Sequence, residues 1–132
     1  MLKKIFVPTI VLGMCAAALT ACSGASTTLN ITASDYKYDA ESWTIPAGQT
    51  ITLTLINNGS AEHEWVIVKK GETVTVPFDD DDEAKVFWEI EAAPGETKTE
   101  TFTAPAEPGE YAIVCGTATH IEQGMTAKLI VK

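Results

Sequence analysis

The chain has 132 residues, 45% of them hydrophobic, with 18 Asp+Glu against 9 Lys+Arg and a formal net charge of −9. That length holds one domain with a real core and little more. Every basic residue is Lys, and so large a deficit of positive charge argues against a nucleic-acid partner, whose phosphates need Lys/Arg clusters.

Residues 1–21 read as an export signal that is removed. Lys3 and Lys4 form a positive start, and the apolar stretch over 5–18, interrupted by Pro8 and Gly13, follows. It is too short and too broken for a transmembrane helix, which wants about twenty apolar residues. Leu19-Thr20-Ala21-Cys22 resembles a bacterial lipobox, in which the chain is cut before the Cys and its thiol then carries diacylglycerol. Cys22 is therefore the expected lipidation site; Cys15 does not fit, because Met14 before it is not small. With Cys22 a thioether, Cys115 is the one remaining thiol, and no disulfide is expected within the chain.

Small polar residues from Cys22 through Thr28 suit a short lipidated tether, and the domain proper is expected over 29–132. Beyond the tether the pattern is β throughout. Ile51, Leu53 and Leu55 alternate with Thr50, Thr52 and Thr54, a period of two. Further strands are expected over 63–69, 73–76, 86–90, 97–103, 111–115 and 126–131. Turn signals fall between them: Pro46-Ala47-Gly48, Asn57-Asn58-Gly59, Lys70-Gly71, Pro94-Gly95 and Pro108-Gly109. Short strands at this spacing predict an all-β, two-sheet antiparallel sandwich. Trp43, Trp65 and Trp88 are read as core or sheet-face aromatics. The acidic run from Asp79 to Glu83 cannot be buried unpaired and is expected in an exposed loop. It serves solubility, or alternatively steers a cationic partner in a salt-dependent way.

The chemistry gathers near the C-terminus. Strand parity puts Cys115 on the face of Tyr111 and Ile113, and Met125 on the face of Ala127, Leu129 and Val131. If those faces point inward, Cys115 and Met125 converge at one end of the core, and the loop between them carries His120 across it. The other histidine, His63, stands at the head of a strand just after the Asn57-Asn58-Gly59 turn. A thiolate, two imidazoles and a thioether form a soft mixed donor set, the set used by electron-transfer copper sites. Structural zinc fits less well, because Met would have to replace a Cys or His, and a Cys–His nucleophile leaves Met125 unexplained. Each residue alone has a bland explanation: Cys115 and Met125 as core filler, His63 as a satisfied strand histidine, His120 as an exposed one.

The Cys-x4-His-x4-Met loop between two terminal strands, with a lone upstream His after an Asn/Gly turn, resembles the cupredoxins, the type 1 blue copper proteins. The ligand spacing is most similar to that of the auracyanins, membrane-associated blue copper proteins of filamentous photosynthetic bacteria. The resemblance implies a Greek-key β-sandwich holding one copper ion that cycles between Cu(I) and Cu(II). It also implies His63, Cys115 and His120 as equatorial ligands and Met125 as the weak axial one. His120 would be the partly exposed ring through which the electron leaves. Three features depart from the family pattern. Glu64 stands where Asn usually follows the first His, Gly116 replaces a Ser or Thr, and Ala118-Thr119 replace a loop containing Pro. The loop is then expected to be held by Thr117 or Thr119, and the tuning of the metal is what changes.

These features imply a monomeric one-electron carrier and no enzyme. It would be lipid-anchored on the extracytoplasmic or periplasmic side of a bacterial membrane, exchanging electrons with redox proteins, some of them cationic. The alternative with the same ligands is a copper lipoprotein for storage, delivery or resistance. A metal-free sandwich acting as an interaction module would stay colourless with Cu(II) and gain no stability from it.

Overall fold

A computed structural model describes residues 24–132, and the export signal and Cys22 lie outside the described residues. Nine strands form: β1 (Thr28–Ser34), β2 (Lys37–Tyr38), β3 (Ser42–Ile45), β4 (Thr50–Asn57), β5 (His63–Val68), β6 (Val86–Ala92), β7 (Thr97–Thr103), β8 (Gly109–Val114) and β9 (Thr126–Val131). They make a sandwich of two sheets, ordered β2-β1-β4-β7 and β3-β9-β8-β5-β6. The all-β, two-sheet Greek-key reading therefore holds. The expectation of purely antiparallel sheets does not: β1 runs parallel to β4, and β3 parallel to β9. After the short β1–β2 hairpin the chain crosses to the other sheet with β3 and returns with β4, so β1 and β3 find their long partners far along the sequence.

Alternation decides which side chains are buried. In β4, Ile51, Leu53 and Leu55 are fully buried while the intervening threonines face outward, one of them bonding across strands from Thr54 Oγ1 to Thr99 Oγ1 at 2.9 Å. Leu29, Ile31 and Ala33 of β1 sit beside them, and Trp65, Ile67, Ile113 and Leu129 meet them from the other sheet in one continuous core. Each such aliphatic side chain contributes about 1.5–3 kcal/mol by leaving water. The three tryptophans belong to this core region. Trp65 is fully buried, with Trp43 edge-on at 5.8 Å and Trp88 at 6.4 Å, and Trp88 stacks on Phe102 at 4.4 Å.

Strand β5 is buried on both faces, which explains its nearly continuous apolar run. Val66 and Val68 point away from the main core into a second cluster with Val114, covered by Val74, Phe78, Val86 and Ile121. Val74 and Phe78 of this cover come from the excursion between β5 and β6, and here two expectations fail. Residues 73–76 form no strand; the segment is irregular and is tied down through Thr75. Nor is the acidic run wholly an exposed loop. It forms a 3₁₀ helix, Asp80–Lys85, in which Asp82 is fully buried. Asp82 Oδ1 accepts from Lys85 Nζ at 2.8 Å and from Thr75 N at 3.0 Å, and its Oδ2 accepts from Thr75 Oγ1 at 2.8 Å. A lysine three residues along supplies the pairing that burial requires. These partners, Lys85 first, hold the Asp82 carboxyl down at about 2.

Candidate metal centre

Two loops and one turn meet at a single pole of the sandwich. Asn57 ends β4 and shapes the loop that delivers His63. Its Nδ2 donates to the carbonyls of Ala61 and Ala92, both at 2.8 Å, while its Oδ1 accepts from Gly59 N at 2.8 Å. Every polar atom of this buried amide is thereby used, folding residues 58–62 back on themselves and tying them to the end of β6. His63 then opens β5 opposite Ala92. From the other side β8 ends at Val114 and Cys115 follows, its N–H donating to the Met125 carbonyl at 3.2 Å. Met125 N in turn donates to the His120 carbonyl at 3.0 Å, and His120 N to the Thr117 carbonyl at 3.1 Å. The loop is a closed set of backbone bonds, with Thr119 (φ 69°) and Gly124 (φ 90°) taking the left-handed conformations that its tight turns need.

The result brings three of the four expected residues together. His63 Nδ1 lies 3.2 Å from His120 Nδ1, and Cys115 Sγ lies 3.2 Å from His120 Nδ1 and 4.0 Å from His63 Nδ1. A point equidistant from these three atoms is about 2 Å from each, the length of a bond from a transition metal to imidazole. His63 and Cys115 are fully buried, and Met125 is fully buried in the same apolar cluster as Cys115. Two facing imidazole nitrogens and a sulfur, shut away from water, form a soft trigonal donor set that fits one copper ion.

His120 departs from expectation in its exposure. It was expected partly open, yet only 4% of it is exposed, because the Tyr36 ring stands edge-on against it with centroids 5.0 Å apart. Burial, followed by the neighbouring His63, pushes the His120 pKa down and so favours the neutral ring, the form that binds metal. Burial also pushes the Cys115 thiol up, against the Glu64 N–H that donates to its sulfur at 3.3 Å. Metal binding must therefore displace the thiol proton.

Of the two threonines expected to secure the loop, Thr117 has the bond: its Oγ1 donates to the Glu62 carbonyl at 3.1 Å. Glu64 and Gly116 fit one another sterically. A Cβ at 116 would overlap the Glu64 carboxylate and crowd the Phe78 ring, so the larger acid at 64 goes with the missing side chain at 116. Beside them an acidic cleft of roughly 460 Å³ is lined by Glu64, Asp79, Glu83, Glu89 and Glu91, with Phe78 at its wall. Burial first, and then Glu89, Glu91, Glu62 and Glu83, raise the Glu64 pKa to about 7.

Two contacts at this pole had no signal in the sequence. Asp35 and Tyr36, in the turn between β1 and β2, reach His63 and His120 respectively. Nothing in local spacing links a turn aspartate to a histidine 28 positions later.

A sandwich of this topology with a buried His/Cys/His cluster at one pole defines a cupredoxin. The sequence pattern of the Cupredoxin-like domain matches residues 5–131, and the chain belongs to that family. It is 32% identical over 109 residues to auracyanin-A of Chloroflexus aurantiacus, a match covering 71% of this chain and 66% of that protein. Among solved structures it is similar to the dithionite-reduced auracyanin of Roseiflexus castenholzii. The identity there is 36%, the TM-score 0.72, and the match covers 83% of this chain and 99% of that one. It is also similar to auracyanin A of Chloroflexus aurantiacus, a blue copper protein, at 30% identity and TM-score 0.66, covering 80% and 98% of the two chains.

Proposed function

We propose that this protein is a one-electron carrier whose single copper ion is held by His63, Cys115 and His120, with Met125 as the weak axial ligand. The observation that carries the reading is the buried triangle of His63 Nδ1, His120 Nδ1 and Cys115 Sγ. Bound there, copper supplies a couple between Cu(I) and Cu(II). The chain's own residues do the rest. The thiolate and two imidazoles satisfy both oxidation states, and burial denies water and substrates a coordination position. The closed backbone bonds of the 115–125 loop keep the donors still as charge changes, so little reorganisation accompanies transfer. The auracyanins to which the chain is similar support the same reading.

Residues 1–21 act as a lipoprotein signal in this proposal, Cys22 carries the lipid, and the tether expected over 22–28 is shortened at its far end, because Thr28 already opens β1; the copper domain lies on the extracytoplasmic side of a bacterial membrane. Its partners are donor and acceptor redox proteins, and the carboxylates of the acidic cleft favour cationic ones.

The test is optical. The copper-loaded protein is expected to show intense visible charge-transfer absorption from the Cys115 thiolate, and Cys115→Ser to abolish it; colour retained in that variant overturns the ligand assignment. For the anchor, Cys22→Ala is expected to release the protein from the membrane fraction, and an unchanged distribution removes the lipidation.

A further inference from the structure

The turn between β1 and β2 carries a group built against the centre from outside. Asp35 Oδ1 lies 3.0 Å from His63 Nε2, on the side of the ring away from Cys115 and His120. The carboxylate is not a passing surface charge. Ser60 N donates to Oδ1 at 2.9 Å and to Oδ2 at 3.1 Å, and Ser60 Oγ donates to Oδ2 at 2.6 Å. Ser60 belongs to the same loop that Asn57 folds, so the carboxylate is clamped by the segment that delivers His63. Gly59 closes the arrangement: a methyl group there would overlap both Asp35 Oδ1 and His63 Nε2, so backbone lies directly against the contact.

We propose that Asp35 is a positioning residue that fixes the tautomer and orientation of His63 and sets the metal's preference between its two oxidation states. The proposal rests on the reading of His63 as a ligand. An ionised carboxylate only accepts hydrogen bonds, so His63 Nε2 must carry the ring proton and donate it. The lone pair is then left on Nδ1, the nitrogen that faces His120 and Cys115. A carboxylate behind a metal-bound imidazole also makes the ring a stronger donor, which favours Cu(II) over Cu(I) and lowers the reduction potential. His120 lacks this support: among the described residues its neighbour from the same turn is the Tyr36 ring rather than a carboxylate. The two imidazoles are thus chemically unequal, and the inequality is built by two consecutive residues, Asp35 and Tyr36.

Asp35→Asn keeps an acceptor of the same shape and removes the charge. The Cu(II):Cu(I) affinity ratio is expected to fall about tenfold, the lower end of what outer partners of metal-bound histidines are worth. For a one-electron couple that is a rise of about 59 mV in potential by voltammetry. Ser60→Ala, which retains the charge and loosens the clamp, is expected to shift the potential the same way by less. A second readout needs no copper. Long-range 15N–1H correlation on the metal-free protein is expected to give a single His63 tautomer protonated at Nε2, and a mixture in Asp35→Ala. A potential unchanged in Asp35→Asn, with the blue absorption intact, overturns the role, as does a wild-type His63 protonated at Nδ1. Variants that lose thermal stability while keeping potential and tautomer also overturn it, leaving Asp35 a turn residue. A wild-type protein that stays colourless with Cu(II) overturns the ligand reading instead, and the Asp35 role with it.

Discussion

Glu64 offers the sharpest test of the electrostatics around the centre. It is the second residue of β5, directly opposite Glu91 on β6, with its carboxylate against Gly116 and Phe78. Partial burial and four neighbouring glutamates raise its pKa from 4.5 to about 7. The folded chain therefore holds this proton more tightly than the unfolded chain does. The favourable contribution is complete below pH 4.5 and is lost as pH rises to about 7, above which the ionised group opposes folding. At full burial a rise of that size would correspond to about 3.4 kcal/mol. Glu64 keeps part of its surface in water, and screening there reduces the penalty to about 1–2 kcal/mol. Glu64→Gln removes the charge and imitates the protonated acid. In the metal-free protein the variant is expected to match wild type at pH 4 and to melt roughly 4–10 °C higher at pH 8. Thermal unfolding followed by circular dichroism across that range makes the comparison. A gain equal at both pH values, or no gain at pH 8, refutes the reasoning, because either result would mean that the charge is not what burial opposes.

Asp82 titrates in the opposite sense. Its carboxyl is held at about 2, so the stability from its bonds is present above pH 3.8 and lost as pH falls toward 2. Asp82→Asn is expected to unfold more readily than wild type at pH 7, with the difference closing in acid titrations near pH 2. In the core, Leu53→Ala is expected to cost about 2–5 kcal/mol, seen as a lower urea midpoint at unchanged slope. Met125→Leu is expected to retain copper and raise the potential; release of the metal would put Met125 among the strong ligands.

Most of the fold could be read from alternation. Thr50 through Leu55 announced β4, and the apolar run after His63 announced β5, although only the structure explains why β5 is apolar on both faces. The early strands escaped notice for a physical reason. β2 has two residues and β3 four, the β1–β2 hairpin makes only two pairs, and the parallel partners of β1 and β3 lie in distant β4 and β9, so local pattern marks them weakly. Leu29, Ile31 and Ala33 did carry the period of two and could have been used. The acidic run misled because like charges in succession read as solvated, whereas one member is paired with Lys85 and Thr75. The four metal-binding candidates were legible because cysteine and histidine are scarce and their spacing is distinctive. Asp35 and Tyr36 were not, since their significance arises only when the first turn folds over the end of β5 and the 115–125 loop.

The direction of β1 has its own consequence. Thr28 lies beside Thr52, whereas Ala33 lies beside Asn57, next to the histidines. The seven residues of β1 span six steps of about 3.3 Å from its start to its end. The proposed lipid tether, entering through Thr28, would therefore join the domain at the end remote from the proposed copper site, some 20 Å away. Tethered there, the molecule would swing like a lantern on its hook, its light end turned outward to visiting proteins.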